Sequence, residues 1–318
     1  MQKQTPLISV IMPLYNAERF VGESIENVLR QTVGDFELIV IDDASTDASA
    51  EIARAYAAKD DRIVLMHNEL NSGAARTRNR ALDAARGKFI TFMDADDLCS
   101  PERFAKQLAF FERHPQTDTM FGTRGGENDE LKIQVPLTHE EIQYQLFFGC
   151  PFGMSSVMLR SEPFKRTGIR FRECMAEDYQ LWVDLSEHLR MANIPEYLTF
   201  YRRWEDQIST RQLDRQTLSA QLTQQEQLAR KLGVRLSDDE ARIFTRFSLR
   251  TGDVKKRELA SYRRILTRLY KAGIRHSHDP KLLKRQLMRR YKMACGLFYP
   301  SWRVWIHKRL FLVRLLAS

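Results

Sequence analysis

Over its first hundred residues the chain alternates between short, β-branched apolar runs and segments of helical spacing, and each apolar run stops in a polar cluster. The runs cover residues 7–14, 36–41, 62–67 and 88–93, with helical spacing over 18–31, 48–59 and 73–86. In the first helical segment Phe20, Val21, Ile25, Val28 and Leu29 share one face. Strands this uniformly apolar are buried on both sides, and strands joined through helices run parallel. The pattern therefore predicts an α/β fold, a mainly parallel sheet flanked by helices. Such sheets bind ligands outside the carboxyl ends of their strands. Those ends read Pro13-Leu14-Tyr15-Asn16, Asp42-Asp43-Ala44-Ser45, Asn68 and Asp94-Ala95-Asp96-Asp97.

Beyond this alternation a helix is predicted over 102–114, a Gly-rich polar loop over 122–129, a helix over 138–148 and a strand over 155–159. A helix over 177–188, with Leu181, Trp182 and Leu185 on one face, precedes a closing strand at 198–202. From about residue 207 strand signals vanish. Two regions follow: an α/β domain over 1–210 and a helical region over 211–318.

Charge divides the chain in a similar place. Residues 253–318 hold 18 Lys/Arg against 3 Asp/Glu, a local +15 within a total of +9, which leaves −6 for residues 1–252. At the end of the chain Phe298, Trp302, Trp305, Phe311 and Leu312 are interleaved with Arg303, Lys308, Arg309 and Arg314. That composition suits a helix lying at an anionic membrane surface, or a solvated helical face packed on the main domain. No nucleic-acid partner is expected, because no recognisable reader module accompanies the charge. No run of 18 apolar residues and no signal-peptide core is present. Cys99, Cys150, Cys174 and Cys295 form neither a CxxC pair nor a His-rich cluster. The expected location is cytoplasmic, peripheral on the cytoplasmic face of the inner membrane.

Three acidic clusters carry the chemistry. Asp94, Asp96 and Asp97 crowd the end of an apolar strand, where like charges repel unless a cation sits among them. Two carboxylates two residues apart suit a hard divalent ion, and an acid just ahead of Pro101 equally suits a helix cap. Asp42 and Asp43 end an earlier strand and read either as a cap cluster or as acceptors for a base or ribose. Glu177 and Asp178 open a helix, where the dipole favours them, and one could serve as a general base. Neither GxGxxG nor a Walker A loop occurs, which speaks against a dinucleotide cofactor.

Five segments in this order resemble the family 2 glycosyltransferases of the GT-A fold, over roughly residues 7–210. They are Ile8-Ser9-Val10-Ile11-Met12-Pro13-Leu14-Tyr15-Asn16, Ile39-Val40-Ile41-Asp42-Asp43-Ala44-Ser45-Thr46-Asp47, Asn71-Ser72-Gly73-Ala74-Ala75-Arg76, Asp94-Ala95-Asp96-Asp97 and Ala176-Glu177-Asp178-Tyr179. Residues 175–182 followed by 197–209 look most like bacterial lipooligosaccharide β-1,3-N-acetylglucosaminyltransferases.

The resemblance implies that Pro13, Tyr15 and Asn16 line a nucleotide pocket, with Asp43 on the uracil and Asp42 nearby. Asp94 and Asp96 would occupy the DxD positions, Asp96 on a Mn²⁺ or Mg²⁺ ion and Asp94 towards the ribose or donor sugar. Asp178 would be the base, Glu177 would position it or the acceptor, and Gly73 and Arg78 would approach the donor. The implied reaction is inverting transfer from a UDP-sugar, best matched by UDP-N-acetylglucosamine, to an oligosaccharide or lipid-linked glycan acceptor. Other hexose donors, and a non-catalytic nucleotide-sugar-binding scaffold, are the alternatives. The chain departs from the family pattern at Trp204, where many relatives carry histidine, and it lacks the usual QxxRW motif of processive synthases.

Overall fold

The computed structural model describes residues 5–126, 135–202, 204, 207, 211–275 and 279–316. The chain forms two compact units, one of Met1–Ile142 with Pro151–Gln207 and one of Gln143–Cys150 with Ile208–Ser318. Arg203 and Ser209, within the segments that carried the family resemblance, and residues 127–129 of the predicted loop lie outside the described residues, as do the side chains of Trp302, Trp305 and Arg314.

The first unit opens with β1 (Ile8–Leu14), α1 (Val21–Leu29), β2 (Phe36–Asp42), α2 (Ser49–Ala57), β3 (Ile63–His67), α3 (Ala74–Ala84) and β4 (Phe89–Phe92). It continues with β5 (Leu98–Cys99), α4 (Arg103–Arg113), β6 (Thr119–Gly126), α5 (His139–Leu146), which runs into the second unit, β7 (Val157–Arg160), α6 (Ser161–Thr167), α7 (Glu177–Leu185) and β8 (Met191–Tyr201). One sheet holds all eight strands in the order β3-β2-β1-β4-β7-β6-β8-β5. β1 to β4 pair in parallel, as do β6 and β8, and the antiparallel pairings are those of β7 and β5.

Burial explains why the parallel half forms. Every residue of β2 and all but Pro13 of β1 are buried, which requires cover on both faces. Val21, Ile25 and Val28 of α1 join Val10, Met12, Leu38, Val40 and Phe104 in one core. At the turn into β4, Gly87 admits no side chain, since a Cβ there would lie 2.5 Å from the Ser9 nitrogen. Its own N–H donates to Ser9 Oγ at 2.8 Å, and that hydroxyl donates to Glu37 at 2.7 Å. This contact holds β4 in line with β1.

Two expectations need correction. The predicted loop at 122–129 is, as far as Gly126, the end of strand β6, and the closing strand begins at Met191 instead of residue 198. β6 pairs with β8 through register shifts between Gly122 and Arg124, so the ladder supplies what the Gly-rich segment lacks in strand propensity. Pairing with a distant partner is invisible to a local pattern.

The second unit is helical: α8 (Leu213–Leu232), α9 (Asp238–Leu249), α10 (Leu259–Gly273), α11 (Pro280–Gly296) and α12 (Ser301–Leu316). Its core includes Leu228, Phe244, Tyr262, Leu266, Leu287, Tyr291 and Phe311. Phe311, read from sequence as an interfacial aromatic, is fully buried with its ring 4.5 Å from that of Tyr291. Among the described residues no helix is long and apolar enough to cross a membrane.

Candidate active site

The acidic clusters sit where the parallel strands end. After β1 and β2 the backbone turns through left-handed conformations at Asn16 (φ +47°) and Ala44 (φ +59°). Asparagine tolerates this geometry, whereas alanine there costs about 1–2 kcal/mol, a strain of the kind that concentrates at functional sites. The two turns are tied together: Ser45 Oγ accepts from the Asn16 N–H at 3.1 Å and Asn16 Oδ1 accepts from the Thr46 N–H at 2.8 Å. Tyr15 is exposed and Pro13 is half-buried.

Asp42 and Asp43 are both buried. Asp42 Oδ2 meets His67 Nδ1 at 2.8 Å, and its other oxygen accepts from the Ser45 N–H at 3.2 Å. Asp43 accepts from Asn68 Nδ2 at 2.6 Å, from the Ser72 N–H at 2.9 Å and from the Gly73 N–H at 2.8 Å. Asp43 thus fixes the loop that leads into α3, and any further contact would use its remaining acceptor capacity. Gly73 enters α3 at φ +80°, a conformation that an L side chain would strain.

Beyond β4, the Asp94–Asp97 turn is held from several sides. The Asp94 N–H donates to Ser155 Oγ at 3.0 Å, and that hydroxyl donates to Asp97 Oδ2 at 2.6 Å. Buried Arg103 donates to the carbonyls of Phe92 and Val157 where β4 ends and β7 begins. Asp97 therefore anchors the turn; the N-cap position of α4 is Glu102, so Asp97 is not the cap of that helix. Asp94 and Asp96 remain with their carboxylates at the strand end.

Arg78, on α3, joins the two halves of the site. Its Nη2 donates to Asp94 Oδ1 at 2.8 Å and its Nη1 to Glu177 Oε1 at 2.7 Å. Burial alone would weaken its charge, yet Asp94 and Glu177 outweigh burial and raise its pKa. One buried cation thus neutralises carboxylates from the turn after β4 and from α7, residues that lie far apart in the chain. Next to Glu177, Asp178 accepts from the Tyr179 N–H at 2.6 Å. Burial and the adjacent Glu177 charge push its pKa up from 3.8 to about 6.

Asp96 has a different surround. Trp204 Nε1 donates to its Oδ2 at 2.9 Å and Gln207 Nε2 approaches the same oxygen at 3.4 Å. Burial and then Asp94 raise its pKa, and the two donors oppose the rise. The Trp204 ring packs 5.3 Å from that of Phe20, which fixes the indole. Sequence reasoning noted Trp204 only as a departure; no local signal marks it as the partner of a residue 108 positions earlier.

Two carboxylates that each keep one oxygen outside these named bonds form a hard, oxygen-only donor pair. Mg²⁺ and Mn²⁺ are bound in this way, with the remaining positions taken by water and substrate phosphate. Among the described residues no group of three or more acidic, His or Cys side chains could hold an ion by itself. The free oxygens of Asp94 and Asp96 fit a hard divalent ion as part of its ligand set.

A mainly parallel sheet with acidic residues gathered at its strand ends, followed by helices, places the chain among α/β proteins that bind their ligands at the strand ends, and its solved structural neighbours are of the GT-A architecture. The model of "Glycosyl transferase family 2" matches residues 9–168, and the chain belongs to that family. It is 34% identical over 183 residues to the Escherichia coli UDP-Glc:alpha-D-GlcNAc-diphosphoundecaprenol beta-1,3-glucosyltransferase WfgD, covering 56% of this chain and 69% of that protein. Its fold is similar to that of S. aureus TarS 1-349 in complex with UDP-GlcNAc, with a TM-score of 0.58, 20% identity and 91% of each chain covered. It is similar as well to the mannosyltransferase PcManGT from Pyrobaculum calidifontis in complex with GDP-Man and Mn2+, with a TM-score of 0.59, 16% identity and coverage of 99% of this chain and 87% of that one.

Proposed function

We propose that this glycosyltransferase moves a sugar, with inversion, from a UDP-sugar to a hydroxyl of an oligosaccharide or lipid-linked acceptor in cell-surface glycan or lipooligosaccharide synthesis. The observation that carries the reading is the division of labour among the carboxylates. Arg78 occupies Glu177 and Asp94, Trp204 occupies one oxygen of Asp96, and Asp178 is left with a raised pKa and a backbone partner. A base tuned towards neutral pH is efficient at removing a proton from a hydroxyl.

In this mechanism Asp178 takes the acceptor proton as the acceptor oxygen bonds to the anomeric carbon and the bond to UDP breaks on the opposite face. Glu177, fixed by Arg78, orients Asp178 and the acceptor. Pro13, Tyr15, Asn16 and the Asp42–Asp43 turn receive the nucleotide, with Gly73 and Arg78 at the donor side. Asp94 and Asp96 would hold a Mn²⁺ or Mg²⁺ ion, which when bound offsets the charge that develops on the departing diphosphate. UDP-N-acetylglucosamine is the preferred donor, consistent with the ligand named for TarS; the name of WfgD favours UDP-glucose as the second reading. The enzyme would work at the cytoplasmic face of the membrane, brought there by its basic C-terminal helices.

The test is release of UDP from a panel of UDP-sugars with Mn²⁺, with and without a crude lipooligosaccharide acceptor. Acceptor-stimulated release from one donor, lost in Asp178→Asn and in Asp96→Ala, is the expected result. Absence of binding and turnover with every donor and metal would overturn the assignment.

A further inference from the structure

The last helix carries apolar residues on two opposite faces. Val304, Phe311 and Leu315 of α12 are buried in the helical core. Ile306, Leu310 and Val313 are instead 43%, 54% and 61% exposed. At 3.6 residues per turn these three fall within a sector of about 60°, roughly opposite the buried face. A helix that needed only to complete the core would place polar residues there. Single exposed aliphatics are ordinary, but three aligned along one ridge are not.

The surroundings of the ridge are basic. Exposed Arg303 and Arg309 project at its two borders. On α11, exposed Lys281, Arg285, Arg289 and Lys292 share one helical face. From residue 280 to the end the chain has ten Lys/Arg and no Asp or Glu.

From this arrangement we infer that the outward face of α12 is a docking surface for an anionic lipid bilayer. Ile306, Leu310 and Val313 enter the headgroup boundary while the flanking arginines meet lipid phosphates. A second copy of the chain is a poor occupant, because pairing two ridges would bring together two acid-free, ten-cation segments. Nucleic acid would satisfy the charges and leave the ridge unused, since aliphatic side chains offer no stacking face to a base. The inference sharpens the membrane partnership proposed above and is independent of the sugar chemistry.

The experiment is flotation of the full chain with phosphatidylcholine vesicles, with and without phosphatidylglycerol, in the absence of donor and acceptor. The expected result is binding that requires phosphatidylglycerol and weakens as salt rises. Arg303→Gln/Arg309→Gln should weaken it about 25-fold, at roughly fivefold per charge. Ile306→Ser/Leu310→Ser/Val313→Ser should weaken it at least about tenfold without changing the circular dichroism spectrum or UDP release in solution. Equal binding to neutral vesicles, or a triple variant that floats like the parent, would overturn the inference. So would a dimer that the triple variant abolishes, or duplex DNA that displaces the protein from vesicles. Vesicle binding and UDP release are separate readouts, so either proposal can fail alone.

Discussion

The acidic rim of the sheet and the basic helices at the chain's end both crowd like charges, and they resolve the crowding in opposite ways. At the rim the backbone forces Asp94 and Asp96 together, and a buried cation, Arg78, is supplied from within to bind Asp94 and Glu177. In α11 and α12 most of the described cations occupy exposed positions, and residues 280–318 contain no Asp or Glu. Internal compensation creates a fixed electrostatic environment in which one carboxylate can be tuned for proton transfer. An excess of one sign of charge at the surface instead favours an anionic partner from outside.

The comparison breaks first at Asp178. Asp178→Asn should lower kcat by about 10²–10⁴-fold and leave donor affinity nearly unchanged, measured by UDP release and by donor titration. In the parent enzyme kcat/KM should fall about tenfold per pH unit below about 6, because a base whose pKa is raised from 3.8 to about 6 is ionised above that pH and protonated below it. An enzyme that keeps full activity well below that pH would exclude Asp178 as the base.

Arg78→Met tests compensation itself. It strands Asp94 and Glu177 without their cation and should cost about 3–5 kcal/mol in denaturant unfolding of the sheet unit. Because Arg78 also helps to hold Asp178 ionised, the acid limb of any remaining activity should move to higher pH. If stability is unchanged, the rim does not depend on this cation.

A smaller effect is expected at Trp204. Trp204→Phe preserves a ring beside Phe20 but removes the N–H that orients Asp96. Mn²⁺ affinity, read by calorimetry in the presence of saturating UDP, should fall about 10–100-fold, as for other groups that orient a metal ligand. The smallest effect is placed in the helical unit. There Ser237 and Glu240 form a reciprocal capping box at the start of α9, with bonds of 3.3 and 3.1 Å. Ser237→Ala should cost about 1 kcal/mol in unfolding of that unit without altering UDP release, which would confirm that its role is support and not chemistry.

Much of the fold was legible because its signals are local. Strands β1 to β4 are short apolar runs, and their helices repeat at a fixed spacing, so residues a few positions apart carry the information. The acidic strand ends were visible for the same reason. The Gly-rich part of β6 was misread because its strand character comes from pairing with β8, and the sequence left Phe311 open between a membrane-facing and a packed helical face because composition does not tell which face of a helix is covered. Asp97 looked like a cap and is an anchor of the turn, held by Ser155 from another segment.

By itself, then, the sequence determined the alternation of strands and helices, the position of carboxylates at strand ends and the surplus of cations after residue 253. Only the tertiary structure decided which carboxylate is neutralised, which is anchored and which is tuned. Arg78 and Glu177 stand 99 positions apart, and Asp96 and Trp204 stand 108 apart. It likewise decided that the exposed ridge of α12 is Ile306, Leu310 and Val313. The reason is physical: periodicity and strand-end polarity are fixed by neighbours along the chain. The charge state and exposure of a side chain are fixed by whatever the packed chain brings within a few ångströms of it.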